Sequence, residues 1–119
     1  MKRLLALTAV FAILSAPIAN AHTSMVSASP AKSAVLTASP KSIVLTFNDP
    51  LIKIAGKNIS WIKLNNSKGS GLFLRGAIVS KNKISLDLPN LAADKYKVSY
   101  RVVSNDGHPV SGSYFFTVK

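Results

Sequence analysis

His22 and His108 are the only histidines in a chain of 119 residues that contains no cysteine. His108 closes the run Asp106-Gly107-His108 within SNDGHPVSG, residues 104–112. Residues two apart in an extended segment point to the same side. Gly107 lets the backbone bend without a side chain in the path, and Pro109 stiffens the chain just after the histidine. One carboxylate oxygen and one imidazole can therefore approach a common point. Alone, such a pair is more often ordinary turn chemistry; its weight depends on His22.

What His22 can do depends on where the working protein begins. Residues 1–21, MKRLLALTAVFAILSAPIANA, open with Lys2 and Arg3, continue through an apolar run over 4–14, and close on Ala19-Asn20-Ala21. A charged start, a short apolar core and a small-x-small end form a secretory signal peptide. The apolar run falls short of the ~20 residues that span a bilayer. Cleavage after Ala21 makes His22 the first residue of an exported domain over 22–119. Its free α-amine and its ring Nδ1 can then close a chelate on one ion. Such amines titrate near pH ~8 and imidazoles near ~6.5, so both kinds of donor are available around neutrality.

Two nitrogen donors with a carboxylate suit copper(II), which favours tetragonal nitrogen and oxygen ligation. Structural zinc sites use Cys and His at paired spacings that are missing here. Calcium needs several oxygens, and the four aspartates are scattered. The expected metal site is His22, Asp106 and His108, holding Cu(2+), with no catalytic residue and no other cofactor.

The domain of 98 residues left by that cleavage suffices for one modest core, and no disulfide can brace it. It retains 13 Lys and Arg against Asp49, Asp87, Asp94 and Asp106, a net charge of about +9. The lysines are spread singly through strand-like segments. This argues against nucleic acid as a partner and suits a solvated surface compatible with anionic membranes or wall polymers.

Short β-rich runs alternate with turn clusters. Candidate strands are residues 24–28, 42–47, 58–64, 72–74, 77–79, 83–88, 95–103 and 113–118. About seven antiparallel strands with no helix between them predict an Ig-like Greek-key β-sandwich or barrel. Parallel pairing is not expected, since it ordinarily needs crossover helices. Ile43, Leu45, Phe47, Trp61, Leu86, Val98, Tyr100 and Phe116 should lie inside. Tyr96, at the start of a strand after a tight corner, fits a tyrosine corner whose hydroxyl bonds back to upstream backbone.

The chain resembles the CopC-like periplasmic copper-binding proteins of bacterial copper resistance and uptake. The resemblance rests on the A-x-A end followed by His22, on SPKSIVLTFNDPL, and on LAADKYKVSYRVVSNDGHPVSGSYFFTV. Within the last, Tyr-x-Val-x-aromatic-Arg-Val-Val-Ser-x-Asp-x-His-Pro-x-x-Gly is close to the family signature. It implies a small Greek-key sandwich and a copper(II) site from the amine and ring of His22 with Asp106 and His108. The expectation is a copper(II) carrier or buffer, a monomer, that passes the ion to an inner-membrane copper transporter. Family members with two copper sites add a methionine-rich loop for copper(I), because soft thioethers favour that ion. After residue 21 this chain has only Met25, and its middle region NNSKGSGLFLRG has none. Two other readings stay open: a metal-free wall or adhesion module, and a small oxidative enzyme using a copper-binding histidine pair. The latter fits a domain of this size poorly, and Asp106 would crowd a position that oxygen chemistry needs open.

Overall fold

The computed structural model describes residues 22–72, 74 and 76–119; the expected signal segment, residues 1–21, lies outside them. Among the described residues ten strands form: β1 (Met25–Ser29), β2 (Val35–Leu36), β3 (Ser42–Phe47), β4 (Lys53–Ile54), β5 (Lys57–Asn58), β6 (Trp61–Asn65), β7 (Ile78–Ser80), β8 (Lys83–Asp87), β9 (Asp94–Val103) and β10 (Pro109–Val118). They make two four-stranded sheets, β1-β3-β8-β7 and β2-β10-β9-β6, with a small ribbon β4-β5. The described residues are all-β, as their alternation requires.

The core is built where the inward residues of the two sheets meet. β3 alternates strictly, with Ile43, Leu45 and Phe47 buried, and β8 answers with Ile84 and Leu86. The second sheet contributes Ile62 and Leu64, Val98 and Val102, and Phe116. Two opposed apolar faces of this kind leave water together, which is why the alternation is stable only as a sandwich.

The tyrosine corner is present. The Tyr96 ring is buried and stacks on Phe116 at 5.5 Å, and its hydroxyl donates to the Ala92 carbonyl at 2.6 Å. Burial also pushes the phenol's pKa up. Tyr96→Phe keeps the ring and strands the carbonyl, so unfolding should show a loss of about 1 kcal/mol. Chemical denaturation of the two proteins measures it.

Several expectations need correction. Trp61 is only half-buried and lies outside the core, because Ile62 and Leu64 take the inward positions of β6; Lys63 Nζ sits 4.6 Å above its ring. Tyr100 is also half-buried. It occupies an inward position, edge-on to Phe47 at 5.8 Å and packed across Gly112, where a Cβ would collide with its ring. β2 and β10 pair in parallel. They are far apart in the chain and the intervening sandwich itself serves as the crossover, so no helix is needed. Leu72 and Leu74 carry no strand, and β10 starts at Pro109 rather than at residue 113. A proline is tolerated there as the first residue of a strand.

Candidate metal site

β9 and β10 form one long hairpin, paired from Asp94↔Val118 to Val103↔Pro109, so Ser104 to His108 is its connecting loop. Gly107 takes φ +77°, and its N–H donates to the Ser104 carbonyl at 2.9 Å. The left-handed backbone there explains the glycine. Asp106 Oδ1 accepts from the His108 N–H at 2.9 Å, the local turn that a short carboxylate makes with its own backbone. The loop is tied down from the other side: Asn105 N–H donates to the Pro50 carbonyl, and Leu51 bridges Ser104.

β1 brings the N-terminal segment to the same end. Met25 pairs with Phe47, so the residues before it run beside Asn48 and Asp49. Asn48 holds that segment, its Oδ1 accepting from the Ser24 N–H at 2.9 Å and its Nδ2 donating to the His22 carbonyl at 3.5 Å. Thr23 then reaches inward, 3% exposed, and hydrogen bonds to the hydroxyl of fully buried Ser104. Ser104 donates onward to Asp106 Oδ1 at 2.9 Å. Two hydroxyls have two protons, so Thr23 donates to Ser104 and Ser104 to Asp106, leaving the Asp49 carboxylate only a long 3.4 Å contact with Thr23.

The structure thus brings His22 and His108 together across 86 residues of chain, their ring centroids 6.4 Å apart and nearly perpendicular at 79°. Asp106 Oδ2 lies 4.0 Å from His108 Nδ1. Among the described residues no three His, Cys, Asp or Glu side chains converge closely enough to form a ready metal cluster. Both rings are exposed, whereas Asp106 is fixed by two hydrogen bonds on Oδ1, leaving Oδ2 toward the histidine. The His108 N–H first, and the Ser104 hydroxyl next, hold the Asp106 carboxyl below the usual carboxylate range. An ionised carboxylate beside two exposed imidazoles is a donor set that suits a nitrogen- and oxygen-seeking cation.

Sequence reasoning did not find Thr23, Ser104, Asn48 or Asp49 at this end. Thr23 and Ser104 flank the two histidine segments, and a buried hydroxyl in each is a signal only once β1 is known to run beside β3.

The profile of the CopC domain matches residues 25–119. Copper resistance protein C of Pseudomonas syringae pv. tomato is 30% identical over 112 residues, 90% of this chain and 88% of that protein. Copper transport protein CutJ of Bacillus subtilis (strain 168) is 30% identical over 82% of this chain but only 18% of that longer protein. Among solved structures, CopC from Methylosinus trichosporium OB3b superposes with a TM-score of 0.73 at 37% identity, covering 82% of this chain and 94% of that one. PcoC, a methionine-rich copper resistance protein from Escherichia coli, gives 0.65 at 30% identity, covering 83% and 100%. The matched sandwich and the extent of the match agree: this chain belongs to the CopC domain family, whose relatives here are named for copper resistance and copper transport.

Proposed function

We propose that the protein is a periplasmic copper(II) carrier or buffer, with one site formed by the α-amine and ring of His22, the Asp106 carboxylate and the His108 imidazole. The observation that carries the reading is the approach of the only two histidines, edge to face at 6.4 Å, beside the fixed Asp106 carboxylate. The signal-like residues 1–21 support export and exposure of the His22 amine on cleavage. Copper is cargo in this reading. The exposed position of both rings suits an ion that must be taken up and handed on, to an inner-membrane transporter, by a monomer that performs no chemistry on it. The single methionine after residue 21 leaves no thioether cluster for copper(I).

The reading predicts a one-to-one complex whose affinity falls steeply with acid. Protons compete for two imidazoles and an amine, whereas Asp106, held low by its hydrogen bonds, stays ionised across this range. Lowering the pH thus removes nitrogen donors and leaves the oxygen donor unchanged. Competition titrations from pH ~7 to ~5 should show a loss of roughly 100-fold or more. An affinity flat over that interval contradicts imidazole and amine ligation.

A further inference from the structure

The lysines are spread singly along the sequence, but the fold gathers them. On β6 and β9 the residues that alternate with the core face outward, placing Lys63, Lys95, Lys97 and Arg101 on two adjacent strands of one sheet face. No carboxylate takes an outward position on β6, β9 or β10. Asp94, at the first position of β9, shares the inward side of Tyr96 and turns its carboxylate to the backbone N–H groups of Lys95 and Ser67. The outer face of the other sheet is different, since on β8 Lys83 is offset by Asp87.

Two aromatic rings complete the basic face. Phe115, directly across from Lys97, is 44% exposed, and half-buried Trp61 lies across from Arg101 at the opposite corner. Each carries an ammonium over its ring, Lys95 Nζ at 4.8 Å from Phe115 and Lys63 Nζ at 4.6 Å from Trp61. Between Lys95, Lys97, Phe115 and the turn residues Asn66, Ser67 and Gly69 lies a shallow depression of about 460 Å³.

We infer that this face docks the protein on an anionic phospholipid bilayer. Lysines beside an exposed aromatic are the combination that settles at a charged membrane interface, the ammonium groups reaching headgroups and the rings the boundary beneath. The charge complementarity also favours lipid over an acidic protein. Three of the four cations are lysines, mobile point charges suited to mobile headgroups, whereas fixed carboxylates are better met by the planar fork of arginine. The loop holding His108 joins β9 and β10 at one end of this face, so contact along the face leaves the histidine pair at its rim.

The test uses the chain from His22 to Lys119, which holds both sheets and the whole core; the Escherichia coli relative, matched over 100% of its length, stands at this size. Co-flotation at low salt should show binding to phosphatidylglycerol-rich vesicles and none to phosphatidylcholine vesicles. Replacing Lys63, Lys95 and Lys97 together by Gln should lower the partition coefficient on the order of 100-fold. Replacing Lys41, Lys81 and Lys83 by Gln removes the same charge from the other sheet and the turns at its strand ends, and should change it by less than about threefold. Equal losses from both triples would overturn the inference, since net charge rather than a face would then act. Binding to phosphatidylcholine would overturn it too, as would no binding to phosphatidylglycerol at low salt, the outcome expected if the face serves an acidic protein.

Discussion

A single residue left in front of His22 should lower copper(II) affinity on the order of 100-fold while leaving thermal unfolding unchanged. The free amine offers a lone pair that can bind a cation once its proton is lost. Acylated, the same nitrogen is an amide whose lone pair is delocalised into the carbonyl and whose proton is hard to remove. The chelate ring between that nitrogen as an amine and the His22 imidazole is then broken. The fold should not notice, because the contacts that secure this segment lie after His22: the Ser24 N–H on Asn48, the Thr23 hydroxyl on Ser104, and the Met25↔Phe47 pairing. Calorimetric titration with a competing chelator, on chains that begin at His22 and at Ala21, measures the difference.

The second large effect is on stability. Phe47→Ala should cost about 3–5 kcal/mol, a drop in melting temperature of very roughly 15–30 °C for a domain of this size. Phe47 is fully buried and packs edge-on against Tyr100. Its backbone is fixed on both sides by Asn82, whose carbonyl accepts from the Phe47 N–H and whose Nδ2 donates to the Phe47 carbonyl, each at 2.9 Å. The frame therefore cannot collapse readily into the space left behind, and a cavity that stays open costs the most. Phe47 also pairs with Met25, the first residue of β1, and immediately precedes Asn48, so its loss loosens the end of the sandwich that carries His22. Thermal unfolding followed by circular dichroism gives the shift; a change within about 1 kcal/mol would contradict this account of the core.

The parts of the fold that could be read from sequence are those in which alternation and burial coincide. Residues 42–47 read as one strand and form one, because Ile43, Leu45 and Phe47 leave no doubt about the inward face. The corner at Tyr96 was legible because its signal is local, a tyrosine shortly after a turn whose carbonyl it must reach. Trp61 was not legible. Its strand has apolar residues at adjacent positions 61 and 62, and only the neighbours on β9 decide which points inward. The strands β2, β4 and β5 have two residues each, too few for any period to show. At the candidate site, the two histidines stood out by rarity. Thr23 and Ser104 did not, since a buried hydroxyl pair exists only after β1 and the β9–β10 loop have met. The basic face was hidden for a related reason: singly placed lysines become one patch only when period-2 strands lie side by side.

The most direct test of the proposed site is the electron paramagnetic resonance spectrum of the copper(II)-loaded chain, recorded with the His22 amine free and with Ala21 retained. The free form should show tetragonal copper with nitrogen couplings from the amine and the imidazoles and an oxygen donor completing the set. With Ala21 in place the His22 nitrogen is an amide, so its amine coupling should be lost and the spectrum should differ from that of the free form. Identical spectra and equal affinities for the two forms would contradict the site, leaving His22 as a residue that merely comes after a signal-like segment.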